Sequence, residues 1–365
     1  MQIRKLNSLR GIAAMIVVIA HYSNVTTLLG GVLGHGAGQF GVMLFFILSG
    51  FLMSHLYLNK QFDEKNVKHF AIARIARVMP LFVLVVVSSF LLHKAGTKGV
   101  LYDILTAKSL LSHLLLLSGV SVLWTIPPEV QFYCLFVLLW WLYSHKKGYL
   151  FVLMAAVFCC LVFFRFPDPR WKIWGLNGHG KLIRTLPYFL VGIVFGEIHG
   201  KWRPPDYLRK NSFILALLLV PLMFPKVFTF LMGYTHTTWT DAGIFFVVSA
   251  VFFALVALVP DNNVVLANPI GDFLGTVSYS LYLLHLPVLS LIGGPAKKSP
   301  AAILVVVVAL ALGPAYASYR LIEAPSRRWL RSIAFGRDGL APAGTDPEVS
   351  STEIRGGSRR PRAAP

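Results

Sequence analysis

The sequence predicts an all-α polytopic integral membrane protein with about ten transmembrane helices in one bundle. Hydrophobic residues make up 56% of the chain and charged residues only 13%, and the mean hydropathy is +0.67. A soluble domain carries about 25% charged residues. Apolar runs of spanning length recur along most of the chain, and basic residues collect in the short segments between them. These three observations exclude an ordinary soluble enzyme.

Each predicted span is an apolar run close to the length that crosses a bilayer. The runs cover residues 8–29, 40–58, 79–94, 129–144, 149–165, 184–199, 212–232, 242–259, 273–292 and 301–321. A further run, 110–122, is shorter and is interrupted by Ser112, His113 and Ser118. We predict that this run is an interfacial or re-entrant segment on the outer face.

The charge distribution sets the orientation. The net charge is +19, and ten spans with both termini in the cytoplasm place most of the 34 Lys and Arg residues on the cytoplasmic side. Counting 110–122 as a span would send the Arg-rich end of the chain outside. Because this bias explains the positive charge, the sequence does not indicate nucleic-acid binding.

The domain organisation is simple. Residues 1–332 are predicted to form one transmembrane domain, and residues 333–365 a disordered cytoplasmic tail, since the tail is rich in Gly, Pro, Ser and Arg and poor in large apolar residues. The chemistry is therefore expected to come from the helix bundle. No Cys or His spacing typical of a metal site is present, and we expect no metal.

The first predicted span carries Arg10 and His21, eleven positions apart. At 100° per residue this separation is three full turns plus about 20°, and the rise is about 16 Å, so both side chains lie on one stripe of the helix. Charged and titratable residues in a span are costly unless they face a polar interior. The stripe therefore indicates a functional face.

Two residues are candidates for acid–base chemistry. His21 is either a structural histidine or a general base, and Glu129, at the start of the fourth span, is either a helix cap or the acid that orients His21. We predict a catalytic pair of His21 and Glu129 in the outer half of the membrane.

Three arginines are candidates for binding a charged cofactor. Arg10, Arg74 and Arg77 lie at the predicted cytoplasmic boundary, where forked guanidinium donors suit phosphate. The preference of basic residues for the cytoplasmic end of a span also explains Arg74 and Arg77 without any role in cofactor binding.

Further polar residues are assigned to substrate binding, namely Ser49, Tyr282 and His285. Ser49 and Gly50 are small residues typical of close helix packing. Ser278, Tyr282 and His285 share one stripe, which forms either the acceptor wall or a structural network.

Taken together, these segments resemble the membrane-bound acyltransferase 3 family. The matching pieces are Leu9-Arg-Gly-Ile-Ala-Ala14 with His21, Phe45-Phe-Ile-Leu-Ser-Gly-Phe51, Arg74-x-x-Arg77, Leu123-Trp-Thr125 with Glu129 and Gln131-Phe-Tyr133, Ser278-Tyr-Ser-Leu-Tyr-Leu-Leu-His285, and Glu323-x-Pro325 with Arg327-Arg328. They follow the family's order over nearly the whole folded chain. Where the family resembles Leu-Trp-Ser-Leu-x-x-Glu, this chain has Pro127-Pro128 before the acid.

The resemblance implies transfer of an acyl group, commonly acetyl from acetyl-CoA or another acyl-CoA, to a carbohydrate hydroxyl. The family histidine corresponds to His21 and its arginines to Arg10, Arg74 and Arg77. Many relatives carry a C-terminal SGNH-type hydrolase domain. The sequence shows no such domain after the predicted bundle, so we expect this chain to be the standalone form. The implied location is the cytoplasmic (inner) membrane of a bacterium.

We therefore hypothesise an O-acyltransferase whose acceptor is a glycan or lipid-linked glycan. Its other expected partners are membrane lipids and an envelope-polysaccharide synthesis complex. The acceptor groups considered are exopolysaccharide, the lipopolysaccharide O-chain and lipo-oligosaccharide. Two alternatives from other classes are a transporter or flippase for a lipid-linked sugar and a non-catalytic scaffold. Internal repeats typical of transporters are not evident.

Overall fold

The computed structural model describes residues 4–97, 100–146, 148, 154 and 180–335, and this part of the chain is helical, with no strand. The helices are α1 Arg4–Thr26, α2 Gly38–Met53, α3 Glu64–Lys94, α4 Ala107–Leu114, α5 Ile126–His145, α6 Gly180–Lys201, α7 Pro225–Met232, α8 Ala242–Phe253, α9 Pro269–Lys298, α10 Pro300–Ser318 and α11 Ala324–Phe335. Single π-helical turns extend α2 over Ser54–Leu58 and α8 over Ala254–Leu258, and a third, Tyr319–Glu323, joins α10 to α11.

The predicted all-α membrane fold is confirmed. Among the described residues, seven helices are long and apolar enough to cross a membrane. An eighth candidate is a pair of segments, Asn211–Leu222 and Pro225–Met232, bent by 86° at the break between them. The helix and π-turn over Ala242–Leu258 are shorter. Apart from residue 154, the predicted span 149–165 lies outside the described residues, as do residues 336–365 of the predicted tail, so the total of ten stays a prediction. Residues 333–335 of the predicted tail are the last residues of α11.

Helix α3 begins much earlier than the predicted span at residue 79. Asp63 caps it by accepting a 2.7 Å hydrogen bond from the amide of Asn66. The apolar run marked only the second half of the helix, because hydropathy does not detect an amphipathic first half. Arg77 therefore lies about 20 Å from the start of α3, well inside one continuous helix.

Helices α1 and α9 pack closely and run in the same direction. A Cβ atom built on Gly275 would lie 2.3 Å from the carbonyl oxygen of Asn7, so the absence of a side chain permits this approach. Arg4 forms an ion pair with Asp272 at 2.5 Å. The predicted first and ninth spans would be parallel too, while their direction across the membrane stays a prediction.

Helix α2 lies between α1 and α6, again through glycine contacts. A Cβ atom on Gly41 would lie 2.3 Å from the carbonyl oxygen of Ala13, and one on Gly50 would lie 2.1 Å from that of Phe189. The interpretation of Gly50 as a packing residue agrees with this contact.

The segment between α3 and α5 enters the bundle. Tyr102 donates a 2.6 Å hydrogen bond to the carbonyl of Leu283, and Tyr282 donates a 3.0 Å hydrogen bond to the carbonyl of Val122. Both partners on α9 lie about 20 Å from its start. Because the segment reaches this depth, α5 begins inside the bundle, which agrees with the re-entrant alternative.

A buried lysine joins the start of α1 to the end of α8. The Lys5 ammonium, 1% exposed, donates to the carbonyls of Val256 and Val259 at 2.8 and 2.6 Å and lies 3.0 Å from Asp261. Asp261 also accepts from Arg209 at 2.7 Å. Partial burial would raise the pKa of Asp261, but the hydrogen bonds from Arg209 and Lys5 outweigh it and hold this pKa below its ordinary value.

Candidate functional site

A cavity lies between α1, α2, α3, α5 and α9. Its walls are mostly apolar, with Phe45 and Phe46 among them, and its polar groups come from different helices. These polar residues are Arg10, Ser49, Arg77, Thr125, Glu129, Ser278, Tyr279 and Tyr282. A mainly apolar cavity with a few converging charged groups is typical of a small-molecule site.

Glu129 supplies the carboxylate of this cavity. Pro127 and Pro128 occupy the first positions of α5, where a missing N–H costs nothing, and they place the acid in the first helical turn. Its Oε1 atom accepts from the Tyr133 hydroxyl at 2.7 Å and from the Ser49 hydroxyl at 3.3 Å. The carboxylate is therefore held by two neighbours while it faces the cavity.

The three predicted arginines separate into two positions. Arg10 and Arg77 line the cavity. Arg74 is 1% exposed, and its guanidinium carbon lies 5.9 Å from the ring centres of both Phe70 and Tyr133. Residues three apart on a helix differ by about 60° in direction, which is enough to turn Arg77 toward the cavity and Arg74 toward Tyr133. The structure thus brings two of the three arginines to the cavity and places Arg74 behind Tyr133, and the donor-binding role of all three stays a prediction.

His21 lies beside a second histidine, His285 of α9. Nδ1 of His21 is 3.0 Å from Nε2 of His285, and the ring centres are 5.1 Å apart. His285 is fully buried and His21 is half-buried. Nδ1 of His285 lies 3.1 Å from the carbonyl oxygen of Leu281. We call His21 and His285 the histidine pair.

The histidine pair adjoins the cavity through Tyr282. The Tyr282 ring lines the cavity, lies 6.1 Å from the ring of His285, and packs edge-on against Phe45 at 6.0 Å. The structure does not place His21 and Glu129 in hydrogen-bond contact: His21 contacts His285, and Glu129 accepts from Ser49 and Tyr133 on the cavity wall. A catalytic pair of His21 and Glu129 stays a prediction. The segment between α3 and α5 explains this arrangement, since it enters the bundle and α5 therefore begins there.

The stripe predicted on α1 faces neighbouring helices. Arg10 is 8% exposed and lines the cavity, and His21 contacts α9. A lipid-facing stripe would have placed both side chains on the bundle surface. The structure therefore gives the polar residues of α1 the interior position that their solvation cost requires.

Two tyrosines belong to this region without having been assigned a role from the sequence. Tyr133 holds Glu129, and Tyr279 lines the cavity while donating a 2.6 Å hydrogen bond to the carbonyl of Val78. The spacing of four residues between Glu129 and Tyr133 on one helix was the available signal. Within the described ranges, no group of three or more His, Cys, Asp or Glu side chains could hold a metal ion.

The chain is similar to known acyltransferases. Residues 3–320 match the family described as an acyltransferase domain. Three relatives from Staphylococcus aureus, of strains COL, MSSA476 and MRSA252, each named as a putative O-acetyltransferase, are 27% identical over 88% of this chain. The chain spans 57% of the length of these relatives. No solved structure matches it. Because the family match covers most of the chain, the protein belongs to the acyltransferase 3 family.

Proposed function

We propose that this protein moves an acetyl group, or another acyl group, from cytoplasmic acyl-CoA to a hydroxyl of a surface or exported glycan. We place it in the cytoplasmic (inner) membrane of a bacterium, where donor and acceptor lie on opposite sides. One observation carries this proposal: a single cavity with two guanidinium groups and a carboxylate adjoins a histidine pair inside a bundle of the acyltransferase family.

The donor is bound by charge and by apolar surface. Arg10 and Arg77 hold fixed positive charges at the cavity, which attract an anionic donor and supply forked hydrogen-bond donors. The apolar walls, including Phe45 and Phe46, suit the long uncharged arm that carries the thioester. Arg74 acts behind them by packing on the Tyr133 ring.

His21 acts as the general base. As the hydroxyl oxygen of the acceptor attacks the thioester carbonyl, the imidazole takes the hydroxyl proton. The new C–O ester bond forms, the C–S bond breaks, and the leaving thiolate receives the proton from the imidazolium. The base is regenerated and no other reactant is consumed.

Glu129 acts on the cavity side rather than on His21. Its carboxylate offsets one of the two positive charges of Arg10 and Arg77 and, with Ser49 and Tyr282, forms the polar part of the wall on which the acceptor is positioned. Charge balance matters here because an unpaired ion in an apolar interior is costly.

The test compares purified wild-type protein with His21→Ala. With acetyl-CoA as donor and water as acceptor, we expect the wild type to release free thiol and the variant to lose at least about 99% of this activity, the effect of removing a general base. A matched control is His145→Ala, an exposed histidine at the far end of α5, which should behave as wild type. Wild-type activity in His21→Ala at normal abundance would contradict the mechanism.

Mass spectrometry of surface glycans identifies the acceptor. We expect a deletion strain to lose acyl groups from one glycan, and complementation with wild type, but not with His21→Ala, to restore them. Loss of the whole glycan, with no thiol release by purified protein, would favour a flippase for a lipid-linked sugar. Full tolerance of changes at His21 and Arg10 would favour a scaffold in an envelope-polysaccharide complex.

A further inference from the structure

His285 is the least exposed titratable side chain near His21, and the packing of two helices brings it there. Its exposure is 0%, and it lies on α9, about 24 Å from the helix start. The close parallel contact of α1 with α9, made possible by Gly11 and Gly275, brings the two imidazoles to hydrogen-bond distance although they are 264 residues apart. A hydrogen bond at this distance requires one of the two facing nitrogens to carry a hydrogen and the other to accept it.

The hydrogen atoms of the pair can be assigned from the contacts. Nδ1 of His285 lies 3.1 Å from the carbonyl oxygen of Leu281, and a carbonyl oxygen only accepts. This nitrogen therefore carries the hydrogen, and Nε2 of the neutral ring is the acceptor. Nδ1 of His21, 3.0 Å away, must then carry its own hydrogen and donate it. The remaining nitrogen of His21, Nε2, then carries the lone pair.

This assignment leaves His285 no atom for a substrate. Both of its ring nitrogens are engaged, one with Leu281 and one with His21. We therefore no longer expect His285 to bind substrate, and we expect it to act through His21 instead.

We propose that His285 is a positioning residue which fixes the tautomer and the orientation of His21, so that Nε2 of His21 is the basic atom. This inference rests on the proposed function, because it names the atom that takes the acceptor proton. When Nε2 takes that proton, the charge on the His21 ring strengthens the hydrogen bond from Nδ1 to His285. A carboxylate does this for the histidine of a Ser–His–Asp triad, and here a neutral, fully buried imidazole takes that place.

The first experiment reads the tautomer directly. Full-length protein labelled with ¹⁵N-histidine is placed in lipid nanodiscs, and the His21 signals are identified among the 11 histidines by their loss in His21→Ala. We expect the hydrogen of His21 on Nδ1, with Nε2 free of hydrogen. A neutral His21 with its hydrogen on Nε2 would overturn the inference, and this measurement needs no substrate.

The second experiment uses three substitutions at His285. His285→Gln places an amide oxygen where Nε2 stood, His285→Asn keeps an amide but is too short to reach His21, and His285→Leu keeps apolar volume without an acceptor. Thiol release is followed with acetyl-CoA as donor and water as acceptor. We expect Asn and Leu to lower kcat roughly 10- to 100-fold, the effect of one hydrogen bond to a charged group.

The kinetic pattern separates positioning from general structural damage. His285→Gln should stay within about threefold of the wild-type kcat, and the KM for acetyl-CoA should change less than about twofold in all three variants. Equal losses in Gln and Leu, or a raised KM with unchanged kcat, would overturn the inference. If wild type releases no more thiol than His21→Ala, the proposed function fails, whereas the tautomer measurement still decides the role of His285.

Discussion

The hydroxyl of Tyr133 donates a 2.7 Å hydrogen bond to Oε1 of Glu129, the residue one helical turn earlier on α5. The Tyr133 ring also lies 5.9 Å from the guanidinium carbon of Arg74. One tyrosine therefore lies between a buried cation and the carboxylate of the cavity. Each of the three residues is expected to respond differently to substitution.

Glu129→Gln should lower kcat for acetyl-CoA by at least about tenfold without raising the KM for this donor. Removing a negative charge beside Arg10 and Arg77 does not weaken their attraction for an anionic donor, so the loss should appear in the chemical step. Steady-state thiol release measures both constants. Tyr133→Phe keeps the carboxylate and loses only one hydrogen bond, so its effect should be smaller. A raised KM with normal kcat in Glu129→Gln would argue against this division of roles.

Arg77→Gln should raise the KM for acetyl-CoA about tenfold, since one charge-assisted hydrogen bond to an anion is worth roughly 1.5–3 kcal/mol. Arg74→Gln, three residues away on the same helix, is the matched control. Because Arg74 packs on aromatic rings and does not line the cavity, its loss should lower the melting temperature more than it changes KM. Equal increases of KM in both variants would indicate that Arg74 also binds the donor.

Gly50→Ala should destabilise the fold by about 1–3 kcal/mol, because an added Cβ atom would lie 2.1 Å from the carbonyl oxygen of Phe189 and α2 would have to move away from α6. Gly313→Ala in α10 is the control, since a Cβ atom there meets nothing within 4 Å. It should be neutral or stabilising by up to about 1 kcal/mol. Thermal unfolding in detergent compares the two, and similar melting temperatures would contradict the close packing of α2 on α6.

Asp261→Asn should lower stability by less than about 1 kcal/mol at neutral pH, because the carboxylate is more than half exposed and solvent weakens its ion pairs. The pKa of Asp261 is lower in the folded protein than its ordinary value of 3.8. The contribution of Asp261 to the free energy of unfolding is therefore complete above about pH 3.8 and is lost as the pH falls through the pKa of the folded protein. Melting temperatures of wild type and variant should differ constantly from pH 8 to 5 and converge only below pH 3.8. Convergence between pH 7 and 5 would indicate that another group is responsible.

Local patterns in the sequence predicted much of the site. The spacing of Arg10 and His21 predicted one stripe on one helix, and the structure turns that stripe toward other helices. The small residues around Gly50 predicted close packing, and the contact of α2 with α6 agrees with it. All of these depend on residues that are close together in the chain, where helix periodicity applies directly.

Relationships between distant helices were not available from such patterns. Nothing local relates His21 to His285, because their contact depends on how α1 and α9 approach each other. The separation of Arg74 from Arg77 depends on the rotation of α3 about its axis, which hydropathy does not set. The depth of Glu129 depends on how the segment before α5 enters the bundle. The composition of this segment suits both the membrane interface and the protein interior.

The parallel contact of α1 with α9 has a consequence for biosynthesis. His21 leaves the ribosome near the beginning of translation, whereas His285 follows 264 residues later. At roughly 5–20 residues per second, α1 resides in the membrane for tens of seconds before α9 is made. For most of its synthesis the nascent chain therefore contains His21 but not His285, and the histidine pair forms only when α9 docks against α1. Assembly of the bundle itself thus determines when the pair first exists.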